Sequence, residues 1–236
     1  MEGLETYEER FRQVRENIRG AAERAGRDPE EITLLPVTKT QPVEVLEAAW
    51  QLGMRIAGEN HVPEIAEKKK HFGDRIRFHM IGHLQRNKVR QVLDKVELIH
   101  SVDSLRLARD IDRIGEEMGL CPKILIEVNV AKEASKYGIT VEELPETLEE
   151  LSRFSHLRVE GLMTIAPFVE NPEENRPVFR ALRQLFVDNR ENPFHNIEMN
   201  VLSMGMTNDY QVAIEEGATL VRIGTALFGA RQYTTA

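Results

Sequence analysis

Apolar residues recur near the start of the chain at spacings of three and four, at Tyr7, Phe11, Val14, Ile18, Ala22 and Ala25. One face of a helix repeats that way, and Gly26 is a suitable stop. Beyond it a rhythm sets in, with apolar runs of strand length alternating with amphipathic stretches of helix length. Residues 32–38 read as a strand and 42–53 as a helix, with Pro42 in its first turn and Gly53 at its end. Strands follow at 55–60, 76–82, 96–102, 123–130, 158–166, 197–205 and 219–229. Between them, helices are expected at 61–72, 84–94, 103–119, 141–154, 172–190 and 208–217, the third of these capped by Ser101 or Asp103 and closed by Gly119.

Runs such as KILIEV (123–128) are continuously apolar, as in a parallel sheet covered on both faces. Eight strand–helix units in fewer than about 250 residues fit a single (β/α)8 TIM barrel with an extra N-terminal helix, spanning 1–236 as one domain. An open doubly wound sheet is the rival. It usually has fewer strands and a glycine-rich fingerprint after the first one, and no GxGxxG stands there.

Composition narrows the class. Of 236 residues, 41% are hydrophobic and 30% charged, with no apolar run near the roughly 20 residues of a membrane span. The first residues are acidic and amphipathic, unlike a secretion or transit signal, so a cytoplasmic location is expected. A net charge of −8 disfavours nucleic acid, and the short basic run at 67–77 reads as a solvated helix end. Cys121, the one cysteine, forms no internal disulfide and reads as a small buried or half-buried residue.

Barrel chemistry sits at the C-terminal ends of strands. Lys39 ends the first strand, and Gly58-Glu59-Asn60 the second. His79–His83 follow the third, and Asn129, Lys132 and Lys136 the fifth. Ser203 and Gly205 end the seventh, and Arg222, Gly224 and Thr225 the eighth. Glycines and hydroxyls after strands seven and eight suit a phosphate, because glycine lets backbone N–H groups approach an anion, and a helix beginning near Thr207 adds its positive end. Ordinary tight turns use the same residues. Alternation puts Leu35, Val37 and Lys39 on one face, and Leu220, Arg222 and Gly224 on another. With both faces inward, two cations meet at the barrel mouth, and a lysine amine beside a second cation is activated towards carbonyls.

The stretches LLPVTKTQP (34–42), GENHVPE (58–64), HMIGHLQRNK (79–88), GLMTIAP (161–167) and LSMGMTNDYQVAIEEGATLVRIGTALFG (202–229) resemble the pyridoxal phosphate homeostasis protein family, which is similar in fold to the barrel domain of alanine racemase. The resemblance runs from about Ile18 to Gly229. It implies that Lys39 forms the internal aldimine with pyridoxal 5′-phosphate (PLP). It implies that Ser203, Gly205, Gly224 and Thr225 hold the phosphate, that Arg222 faces the pyridine nitrogen and that Asn60 borders the cofactor. Thr38 and Thr207 stand where serine is common in the family, and Pro63 where glutamine is frequent.

An arginine donates to the ring nitrogen without protonating it, so the electron sink is weak and deep carbanion chemistry is disfavoured. Racemases of this fold take a second base, a tyrosine, from a separate C-terminal β-domain. Here the chain ends at Ala236, and of Tyr7, Tyr137, Tyr210 and Tyr233 only Tyr137 lies in a strand-end loop, where it reads as a half-buried aromatic. The expected function is therefore PLP homeostasis and delivery without robust catalysis and without a catalytic residue. PLP-dependent apoenzymes are possible partners, and the protein itself is a monomer or weak dimer. Lys136 is either a second amine for taking up and releasing PLP or a solvated lysine. A low-activity amino-acid racemase is the alternative, and a cofactor-free Schiff-base aldolase acting on a phosphorylated sugar is a third reading. His79 and His83 are four apart, but they straddle a strand end with no third ligand nearby, so no metal is expected.

Overall fold

Eight short strands form one parallel sheet that curls until its edges meet. The structure, a computed structural model, describes residues 3–132 and 137–229. The strands are β1 (Thr33–Pro36), β2 (Ile56–Glu59), β3 (Arg77–Met80), β4 (Val96–Val102), β5 (Lys123–Glu127), β6 (Arg158–Met163), β7 (Ile197–Ser203) and β8 (Leu220–Ile223). Neighbours run in the order β1-β8-β7-β6-β5-β4-β3-β2. The edges close where Val37 bridges Gly58 and the Thr38 N–H donates to the Gly58 carbonyl at 3.0 Å. This is the (β/α)8 barrel read from the sequence.

The helices are α1 (Leu4–Arg24), α2 (Val43–Gln51), α3 (Val62–Phe72), α4 (Val89–Val92), α5 (Leu105–Met118), α6 (Leu144–Leu151), α7 (Arg176–Asp188), α8 (Tyr210–Glu215) and α9 (Thr225–Phe228). The main core lies between strands and helices, where Phe72, Phe78, Phe179, Leu46 and Ile99 are fully or almost fully buried. A small second cluster of Leu98, Leu125 and Met163, with Val201 against it, lies apart from that core. The opposite facing of alternate strand residues, apolar outwards and mixed inwards, is what period two produces in a closed sheet.

Local differences from the sequence reading have simple causes. The segment 84–94 begins as a 3-10 turn at Arg86–Lys88 and leaves only one turn of α4, because Gln85, Arg86 and Asn87 are exposed and offer no face to bury. The cap of α5 is Ser104, whose hydroxyl accepts from the Leu107 N–H at 3.3 Å, rather than Ser101 or Asp103. The last strand stops at Ile223. Gly224 leaves the extended conformation and its carbonyl accepts from the Leu227 and Phe228 N–H groups, opening α9. Cys121 is exposed rather than half-buried, in the turn between α5 and β5.

The apolar stripe of α1 is spent on the barrel. Tyr7 and Phe11 pack their rings on Phe228 at 6.3 and 6.0 Å, and Asn17 donates to the Tyr210 hydroxyl at 3.0 Å. Just beyond the helix, Arg27 donates to the carbonyls of Ile214 and Ala218 at 2.8 Å each. Phe11→Ala should therefore cost about 3 kcal/mol of unfolding free energy, read by urea denaturation. A loss under about 1 kcal/mol would mean that α1 is not part of the barrel's cooperative unit.

Candidate functional site

Lys39 follows β1 half-buried at the C-terminal end of the barrel, and the residues on either side of it are tied down from outside the strand. Thr38 is fully buried. Its hydroxyl donates to Glu59 Oε1 at 2.5 Å and its carbonyl accepts from Lys68 Nζ at 2.8 Å. Lys68 Nζ also lies 2.7 Å from Glu59 Oε1, and their side chains are only 5% and 0% exposed. On the far side, the Thr40 N–H donates to Glu64 Oε2 at 2.8 Å, and Thr40 is held at φ 64°, left-handed for a β-branched residue. So β2 and α3 jointly fix the bearing of Lys39. The basic run at 67–77 is thus not merely a solvated helix end, because Lys68, on the inner face of α3, is sealed beneath it.

Arg222 is the second pole. It is 4% exposed on β8, in register with Leu35 of β1, the residue four before Lys39. Nη1 donates to Ser203 Oγ at 2.7 Å and Nη2 to the Thr164 carbonyl at 2.9 Å. No carboxylate pairs with it directly among the described residues. Burial pushes it down to about 10, with Glu127 and Asp209 opposing from a distance, so it stays a cation at neutral pH. Glu127, last residue of β5, was not singled out in the sequence. Burial pushes its carboxyl up to about 7, with Asp103 adding to the rise and Arg222 opposing it.

The loops after β7 and β8 meet, as the Ala226 N–H donates to Thr207 Oγ1 at 3.4 Å. Gly205 is left-handed at φ 90°, and a Cβ there would lie 2.5 Å from that of Ala213, so its glycine is required by packing on α8. Gly224 is half-buried and Thr225 exposed. The expected helix near Thr207 starts only at Tyr210 and runs six residues. Ser203 departs from its expected role as a phosphate donor. It is fully buried and its hydroxyl is engaged with Arg222 and with His100 Nδ1, 3.0 Å away. Asn60 is half-buried beyond β2, and the β3 loop lies so close that a Cβ on Gly82 would fall 2.5 Å from the Asn60 carbonyl oxygen.

His79 and His83 part company. His79 is buried, with Nδ1 3.0 Å from His100 Nε2, whereas His83 sits exposed at the mouth, with Nδ1 3.1 Å from Asp103 Oδ2. Tyr137 stacks on His83 with centroids 4.0 Å apart and is 58% exposed, more open than its sequence reading. Lys136 and Tyr233 lie outside the described residues.

With Lys39 and Arg222 at one mouth, comparison with known proteins places the chain. Residues 10–232 match the family model described as alanine racemase, N-terminal domain. A protein of Aquifex aeolicus named pyridoxal phosphate homeostasis protein is 44% identical over 226 residues, covering 95% of this chain and 98% of its own. A namesake from Pseudomonas aeruginosa is 40% identical over 234 residues, covering 98% of each. The chain belongs to this family. The structure of PipY from Synechococcus elongatus with PLP bound is 32% identical, with a TM-score of 0.81 over 94% of this chain and 100% of that one.

Removing one partner of the sealed pair leaves the other charge buried alone. Lys68→Met should cost about 3–5 kcal/mol by chemical denaturation, and adding Glu59→Gln should restore part of it. Glu127 sets a pH slope in the cofactor-free protein. Its folded value, about 7, exceeds the ordinary carboxyl value of 4.5. Its ionisation therefore opposes folding, and stability falls as pH climbs through that window, by at most about 3 kcal/mol. Glu127→Gln should flatten this fall in denaturation curves taken below about pH 5 and above about pH 7. An unchanged slope would show that Glu127 ionises as it does in the unfolded chain.

Proposed function

We propose that this chain holds PLP by a covalent bond to Lys39 and serves PLP homeostasis and delivery to apoenzymes rather than rapid catalysis. The observation that carries the reading is the pairing of a clamped, half-buried lysine with a buried, carboxylate-free guanidinium on adjacent strands opening at one barrel mouth. The donor set fits the group. A cation that can only donate suits an unprotonated ring nitrogen. The joined loops around Gly224, Thr225 and Thr207 offer backbone N–H groups and hydroxyls to a phosphate, with Gly205 shaping the turn that carries them. Asn60 borders the ring. When bound, PLP supplies an aldehyde open to amines and an electron-withdrawing ring.

Lys39 would supply the amine towards the aldehyde of a bound PLP. The Thr38 and Thr40 clamps keep that amine facing the mouth. Arg222 would donate a hydrogen bond to the ring nitrogen of a bound PLP without protonating it, which would keep carbanion chemistry weak and favour holding over turnover. The one barrel suffices for this role, in the cytoplasm, as a monomer or weak dimer. Slow amino-acid racemisation is the second reading. It draws on Glu127, a buried carboxyl whose value burial raises to about 7, within the field of Arg222.

Purified protein incubated with PLP should be yellow. Borohydride should bleach it, and mass mapping should find the reduced adduct on Lys39, with Lys39→Ala losing both. A colourless protein, or an adduct mapped to another lysine, refutes the reading. Sustained formation of the D-amino acid from L-alanine or L-serine, lost in Lys39→Ala, would favour the racemase instead.

A further inference from the structure

Behind Arg222 a chain of hydrogen bonds crosses the barrel interior. Arg222 Nη1 to Ser203 Oγ is 2.7 Å, Ser203 Oγ to His100 Nδ1 is 3.0 Å, and His100 Nε2 to His79 Nδ1 is 3.0 Å. Ser203 and His100 are fully buried and His79 is 6% exposed. His79 Nε2 lies 3.9 Å from Glu97 Oε2, at a cavity of about 220 Å³ among the strand starts, at the opposite end of the barrel from Lys39. Nothing in the site described above uses either histidine.

We propose that His100 is a positioning residue for Arg222, acting through Ser203, with His79 fixing its tautomer. The proposal rests on the PLP reading for its purpose, since the guanidinium is what meets the ring nitrogen.

Counting donors gives the chain one direction. Arginine only donates, so Ser203 Oγ accepts from Nη1. The serine proton then needs an acceptor in a place closed to water, and His100 Nδ1 is the group in reach. With Nδ1 accepting, a neutral His100 carries its proton on Nε2 and donates it to His79 Nδ1. His79 in turn carries its proton on Nε2, towards Glu97 and the cavity. Burial holds both imidazoles neutral. It brings His79 down to about 4, and it takes His100 well below its ordinary value, with the Arg222 charge adding to the fall. The reverse direction would leave the buried serine proton without an acceptor, which is costly. Every donor therefore points away from the mouth, and each bond polarises the next, strengthening Ser203 as the acceptor that anchors Arg222.

This arrangement orients the guanidinium with neutral groups. A carboxylate in the place of Ser203 would anchor it too, but would cancel the charge that faces the ligand.

The test uses Ser203→Ala, His100→Leu and the conservative His100→Gln. In the cofactor-free protein, nitrogen-15 spectra should show His79 and His100 as neutral Nε2–H tautomers. The Arg222 guanidinium signals should be slowly exchanging, and lost in Ser203→Ala and His100→Leu. With PLP added, both variants should bind about tenfold more weakly and shift the visible absorption band, while His100→Gln keeps most of both. Variants with a lower melting temperature but with Arg222 signals, band and affinity unchanged would overturn the proposal, as would an Nδ1–H tautomer at His100. A wild-type protein that never turns yellow would sink the PLP reading alone, because the cofactor-free spectra still decide this one.

Discussion

A lysine–glutamate pair sealed under α3 governs the direction in which the first strand delivers its amine. Lys68 and Glu59 are both inaccessible, and between them they hold the hydroxyl and the carbonyl of Thr38. A buried pair of this kind is poor evidence of stability, because desolvation consumes much of the attraction. Burial raises the Glu59 carboxyl above its ordinary value even with Lys68 beside it, and its Oε2 has no hydrogen-bond partner among the described residues. Such an arrangement makes sense as a device for geometry. A strand end left to backbone pairing alone would swing, whereas here two side chains from neighbouring elements dictate the turn that follows.

The barrel divides its chemistry by face. Outside the strands the packing is almost entirely apolar. Inside, a polar layer of His79, His100, Ser203 and Arg222 adjoins the cluster of Leu98, Leu125 and Met163. Each of these four side chains has a hydrogen-bond partner, so the layer specifies positions where aliphatic residues would only fill space. The cation at the mouth is thereby held by neutral neighbours, with Glu127 and Asp209 acting only through the field.

Much of the fold was legible in the chain because parallel strands covered on both faces read as apolar runs, and period two placed Lys39 and Arg222 on inward faces. The cofactor came from the resemblance of whole motifs, not from those periods. Lys68 was not legible. It stands in a row of three lysines, and its burial depends on a carboxylate from β2 and a carbonyl from beyond β1. His100 was missed for a similar reason. Its partners come from β3 and β7, and only the closing of the sheet brings them together. Ser203 stands at a strand end, a position that suits a ligand as well as a guanidinium, and the chain alone does not show that its hydroxyl meets Arg222. The imidazole of His100 inside the strand run VELIHSV, next to the outward-facing Ile99, was the available clue.

The seam of the barrel has its own consequence. Between β1 and β2 closure rests on the Val37–Gly58 bridge and the Thr38 amide, one residue from Lys39, while the other junctions have longer ladders or several backbone bonds. The cylinder is therefore easiest to part beside Lys39. Under the proposed attachment of PLP to Lys39, breathing of that joint and loading would be coupled, and deuterium uptake at the seam amides would then gauge how full the protein is.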